Sequence, residues 1–189
     1  MAKGQEQAAP DAVLTRIGQV AMLHHAGDRE EARLRFLSLW AEIGEHGDPL
    51  HRCTLAHYLA DTQDDPGDEL AWDLRALSAA EELADAGPTD RDGGEDGELA
   101  ARALYPSLHL NLAADYDRLG HREAARLHLR RARTAAGALA FDRYGDRVRA
   151  AIDRLARRLA DAGPPGDAGP PADGPDRPDG WWGPPRQRP

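Results

Sequence analysis

The sequence predicts an all-α protein, an array of helical hairpins followed by a disordered tail. Apolar side chains recur at spacings of three and four from Asp11 to Ala162, and no stretch alternates with period two. The composition fits helices packed closely on helices. Hydrophobic residues make up 41%, much of it alanine, while aromatics are only 5%, and small side chains let helix backbones approach. Short turns of Gly, Asp and Pro punctuate the pattern throughout.

The elements follow in order. Asp11 caps a first helix that carries Val13, Leu14, Ile17, Val20, Ala21 and Leu23 and runs to about His25, where Gly27 ends it. Asp28 with Glu31 forms a capping-box pattern for a second helix, with Ala32, Phe36, Leu39, Trp40 and Ile43 on its inner face and Gly44 and Gly47 at its end. Asp48-Pro49 starts a third helix through Leu50, Cys53, Leu55, Ala56 and Leu59. Asp65-Pro66 repeats that start signal, and Leu70, Leu74, Leu77, Ala80 and Ala84 define the packing face until Gly87-Pro88. Thr89 to Gly97 is acidic, Gly-rich and without period, which predicts an exposed loop. Helix resumes at about Glu98, broken or kinked at Pro106, and reaches Gly120 through Leu110, Leu112, Ala113 and Tyr116. Two more helices follow, one on Ala125, Leu129, Ala132 and Ala136, the other on Val148, Ile152, Leu155 and Leu159.

Three regions result: a flexible N-terminus at 1–10, a helical domain at 11–162 and a Pro/Gly-rich tail at 163–189. The tail holds nine prolines and six glycines, too little apolar surface to offset the entropy of ordering. Trp181-Trp182 stands out in it as a candidate docking pair.

Charge is divided along the chain. The net charge is −9, with 17 acidic and three basic residues from Ala41 to Ala100, against 11 arginines and four acidic residues from His121 to Ala160. Arg122, Arg126, Arg130 and Arg133 fall on one helical stripe that Arg147, Arg154 and Arg158 extend, so a nucleic-acid contact is the second functional class. Lys3 is the only lysine, in keeping with the codon bias of a GC-rich bacterial genome. Cys53 is the only cysteine, so no intrachain disulfide forms. Met1 to Pro10 has no apolar core of a signal peptide, and no run of about 18 apolar residues exists to span a membrane. A soluble cytoplasmic protein is the expectation.

Turns and packing residues repeat. Gly27-Asp-Arg-Glu-Glu-Ala32, Asp65-Pro-Gly-Asp-Glu-Leu-Ala71 and Gly120-His-Arg-Glu-Ala-Ala125 each join a short turn to acidic capping residues and a small packing residue. Leu112, Ala113, Tyr116, Gly120, Ala125, Leu129 and Ala132 resemble the signature spacing of the tetratricopeptide repeat. Val20, Leu23, Gly27, Ala32 and Phe36 match the same places in a first copy, and Leu55, Ala56 and Leu59 in a second with a longer turn. The family's early Trp and inter-repeat Pro are absent. The phrase from Leu55 to Leu77 also resembles a group of uncharacterised actinobacterial repeat proteins. The resemblance covers roughly residues 12 to 137 and implies about three stacked hairpins, with Asp142 to Asp161 as a capping helix.

It further implies a scaffold that binds a peptide or partner protein in a concave groove lined by the first helix of each pair. On that geometry Ile17, Ala21, His24, Cys53, His57, Asp61, Leu110, Asn111, Ala114 and Arg118 line the groove. Asn111 would bond a ligand's backbone amide and Arg118 a carboxylate. Read without the family, Cys53, His57 and Asp61 share one helical face at zinc-ligand spacing but lack a second Cys/His pair. Cys53 and His57 also lack a third group for nucleophilic catalysis. There is no phosphate-binding Gly-rich loop, HExxH or GxSxG. The sequence therefore assigns no catalytic residue, no metal and no cofactor, and leaves the oligomeric state open.

Overall fold

The structure, a computed structural model, describes residues 11–85 and 94–161. Seven helices account for it, and the described residues contain no strand. They are α1 (Ala12–His25), α2 (Arg29–Ile43), α3 (Pro49–Asp61), α4 (Pro66–Asp85), α5 (Gly94–Arg118), α6 (Arg122–Ala136) and α7 (Arg143–Asp161). None is long and apolar enough to cross a membrane. The expected N-terminal segment, the tail and Trp181-Trp182 lie outside the described residues.

Local chemistry sets most boundaries. Asp11 accepts from the Val13 and Leu14 amides at 2.8 and 3.1 Å, and Asp48 from Leu50 and His51 at 2.9 and 3.2 Å. Each thereby satisfies two otherwise orphaned donors. Asp65 does the same for Gly67 and Asp68, and Asp142 for Gly145. The capping box expected at Asp28 does not form: Asp28 makes no side-chain cap, and Glu31 pairs with Arg35 at 2.7 Å instead.

The ends of α1 and α5 are built alike. Gly27 and Gly120 have φ of 102° and 79°, a conformation that a Cβ disfavours. Beyond them the Asp28 amide reaches back to the Leu23 carbonyl at 3.1 Å, and the His121 amide to Tyr116 at 2.8 Å. This closure satisfies the terminal carbonyls and turns the chain into the next helix. Ala32 and Ala125, five residues after each glycine, are both fully buried.

Two boundaries differ from the expectation. α5 already begins at Gly94, so the predicted loop at 89–97 gives way to helix in its last four residues. It also runs unbroken through Pro106, whose ring is fully buried; packing holds the helix where the missing N–H weakens it.

Each helix packs on the next, and α1, α3, α5 and α7 also touch in succession. One core gathers Ile17, Phe36, Leu55, Leu59, Trp72 and Leu108 from α1 to α5. Phe36 stacks on Tyr58, and Trp40 meets Trp72 edge-on at 5.0 Å. The other core joins Ala113, Leu129, Val148, Ile152 and Leu155 from α5 to α7. Fully burying one such aliphatic or aromatic side chain contributes about 1.5–3 kcal/mol. α5 belongs to both cores. The inner face of α4 is Trp72, Asp73, Ala76, Leu77 and Ala80; Leu70 and Leu74, expected there, are only half-buried.

Candidate functional site

A cleft of about 360 Å³ opens at the junction of α3, α4, α5 and α7. Asp61 from the end of α3 and Glu69 from α4 form one wall; Asn111, Ala114, Asp115 and Arg118 come from α5. Asp117 and Arg158 close the far side with an ion pair at 2.8 Å that ties α5 to α7.

Asp115, which lines the cleft, and Asp73 beside it form a buried polar centre. Asp73 projects from the inner face of α4 and is 0% exposed. Among the described residues no N–H reaches either of its oxygens, and the Asp115 carboxyl is its close neighbour. Asp115 is 1% exposed, and its Oδ2 likewise lacks an N–H donor. Its Oδ1 accepts from Arg118 Nη2 at 2.8 Å, and the same guanidinium nitrogen contacts Glu69. His57 Nδ1 lies 3.7 Å from Asp73 Oδ1 and 3.5 Å from Asn111 Nδ2.

The electrostatics follow from that burial. Desolvation penalises charge, so it pushes the Asp73 carboxyl up, against the opposing pull of His57. Asp115 is pushed up to about 8, first by burial and then by the Asp73 charge, with Arg118 pulling the other way. Burial alone would lower His57; its contacts with Asp73 and the charge of Asp61 outweigh it and raise the imidazole.

The structure sorts the residues expected in the groove. Asp61, Asn111, Ala114 and Arg118 line the cleft, and His57 sits behind Asn111. Ile17, Ala21 and Cys53 do not: all three are buried in the core shared by α1 to α5. On that side α1 and α3 are covered by their neighbours, so these side chains are core rather than groove lining. Leu110 packs against the second core. His24 stays on α1, half-buried, with its Nδ1 unpartnered. Arg118, expected to offer its fork to a partner, is already engaged by Glu69 and Asp115. Cys53, His57 and Asp61 do not converge, since Cys53 faces the core and Asp61 is exposed. Burial pushes the Cys53 thiol up to about 12, away from the thiolate form that nucleophilic attack uses.

Sequence reasoning missed Glu69, Asp73 and Asp115, and gave Arg158 to the arginine stripe. One signal was present. Asp73 interrupts the apolar run from Leu70 to Leu77 four residues after Glu69, which puts two carboxylates on one helical face.

The arginine stripe is partly neutralised within the fold. Arg126 pairs with Glu123 at 3.2 Å, Arg133 with Asp153 at 3.8 Å and Arg158 with Asp117. On the other side of α5 lies a second buried polar centre. His109 and His128 face each other at 3.2 Å between Nδ1 atoms, flanked by the Tyr105 and Tyr116 rings. Burial and the charges of His128 and Arg131 lower His109 to about 4; burial and Arg131 lower His128 too.

Comparison with protein-family models, with curated proteins and with solved structures found no match.

Proposed function

We propose that this chain is a non-catalytic interaction module of the tetratricopeptide kind, working in the cytoplasm, which holds an extended segment of a partner protein in the cleft between α3 and α5. The observation that carries this reading is the cleft itself: polar groups of differing geometry converge in one depression on a rigid helical frame. Asn111 offers both a donor and an acceptor to a peptide amide. Successive contact between α1, α3, α5 and α7, and the matching turns at Gly27 and Gly120, support a stacked-hairpin array.

The charge pattern favours a basic segment. Both arginines of the cleft are already paired with its carboxylates, while Asp61 is exposed and pairs with no arginine among the described residues. A lysine- or arginine-bearing peptide gains attraction there, and its binding weakens with salt. The arginine stripe supports a nucleic-acid reading less well, because its charges are partly spent on Glu123, Asp117 and Asp153.

A peptide-library selection on the folded chain tests this. Enriched peptides should be basic. Asn111→Ala combined with Asp61→Asn should weaken them roughly tenfold or more, in line with about 1–3 kcal/mol for hydrogen bonds involving charge. Arg130→Ala with Arg133→Ala should leave binding intact. Binding lost on changing the stripe and kept on changing the cleft would overturn the reading.

A further inference from the structure

Of the two buried carboxyl groups beside the cleft, Asp115 is held by Arg118, while Asp73 has no cation in contact among the described residues. Asp73 is completely buried with no N–H donor on either oxygen, and Asp115 Oδ2 likewise lacks one; only a proton shared between the two carboxyl groups joins them. A buried carboxylate without donors is costly. Arg118 touches Glu69 and Asp115 but not Asp73. Glu69 and Asp115 face Asp73, and the His57 ring stands 3.7 Å from it, too far for a hydrogen bond.

The donor atoms are arranged as if around a point. One oxygen each of Glu69, Asp73 and Asp115 lie within 4.8 Å of one another. Opposite ligands of an octahedral ion with bonds of about 2.1 Å stand roughly 4.2 Å apart, so the set needs little adjustment to surround one. The cleft provides the entry path that such a site requires. The three carboxylates come from two helices, and the imidazole of His57 adds α3. Oxygen donors with one imidazole suit a first-row divalent ion such as Mn²⁺ or Zn²⁺. Ca²⁺, which takes six to eight oxygens, suits them less.

We infer that Glu69, Asp73 and Asp115, with His57 as a fourth ligand, form a binding site for one divalent transition-metal ion that clamps α3, α4 and α5 together. The inference does not rest on the proposed partner interaction, since it concerns the isolated chain.

The test is a titration of the chelator-treated full chain with Mn²⁺, following loss of the free ion's electron paramagnetic resonance signal, and with Zn²⁺ by calorimetry. One ion should bind per chain. At 100-fold excess over the Kd the melting temperature should rise by roughly 5–10 °C. Asp73→Asn should weaken binding at least tenfold while melting no lower than wild type in chelator, because the amide removes a buried charge. Should that variant fail to fold, Glu69→Gln, at the half-exposed edge, should show the same loss. Cys53→Ser should bind as wild type does. The absence of stoichiometric binding would overturn the inference. Binding untouched by both Asp73→Asn and Glu69→Gln would overturn it equally, placing the ion on the acidic surface.

Discussion

Helix α5 separates two buried polar centres of opposite character. Toward α3 and α4 it faces carboxylates, Asp115 beside Asp73 and Glu69; toward α6 it faces imidazoles, His109 against His128. Both centres are desolvated, and desolvation disfavours charge whatever its sign. Asp115 therefore rises to about 8 while His109 falls to about 4. They differ in what joins them: a neutral imidazole already carries the N–H that it can donate to the other ring, whereas the two carboxyl groups must take up a proton or a cation to be joined. The histidine pair closes on itself, and the acidic centre remains open to a cation.

The largest perturbation acts on the helix they share. Leu112 is fully buried on α5, so Leu112→Ala should cost about 2–5 kcal/mol in urea unfolding. A single transition would show that the two centres belong to one cooperative unit. Two separate transitions would show that the α1–α4 and α6–α7 sides unfold independently.

Removing the unsatisfied charge comes next. In chelator at pH 8, Asp73→Asn should stabilise the chain by about 1–3 kcal/mol, since an unpartnered buried acceptor becomes a group that can also donate. Destabilisation would mean that Asp73 is satisfied in solution.

The pH dependence separates the centres by sign. For His109 the folded value of about 4 lies below the ordinary 6.5. Between them the unfolded chain binds the extra proton, so stability is present above 6.5 and is lost as pH falls toward 4. For Asp115 the folded value of about 8 lies above the ordinary 3.8. There the folded chain holds the proton, so its contribution is present below 3.8 and is lost as pH rises through 8. In chelator, denaturation midpoints should therefore decline from pH 6.5 to 8, and Asp115→Asn should flatten that decline. Between pH 4 and 6.5 the two slopes oppose each other, so His109→Gln should make stability rise toward pH 4 and leave the alkaline limb alone. Exchange of these two effects between the variants would refute the assignment.

The smallest effect is expected at the surface. Arg133 and Asp153 stand 3.8 Å apart and are both more than half exposed, so Arg133→Gln should change stability by less than about 1 kcal/mol. Differential scanning calorimetry checks this, and a larger loss would mean that the stripe, not the buried centres, holds α6 to α7.

What could be read from the sequence was local. Asp11, Asp48 and Asp65 announce helix starts because capping joins residues two or three apart, and Gly27 and Gly120 announce turns because their φ demands glycine. The cores of α6 and α7 were legible too, since Leu129, Ile152 and Leu155 follow the helical period without interruption. The acidic centre was not. Asp73 and Asp115 are 42 positions apart in the chain and meet only through the packing of α4 on α5. Each alone reads as one more solvated acid in an acidic stretch. The groove was half-legible: Asp61, Asn111 and Arg118 reach it, but Ile17, Ala21 and Cys53 needed knowledge of which neighbours cover α1 and α3.

Cys53 gives the molecule a clock. Its sulfur sits at zero exposure within the main core, held as a neutral thiol by its surroundings. An alkylating reagent attacks the thiolate, and in the closed structure neither the ion nor a path to it exists. Modification thus waits for α3 to part from its neighbours. The rate at which the single thiol is consumed measures the opening frequency of that region, at neutral pH and without denaturant. No label need be engineered into the chain to time it.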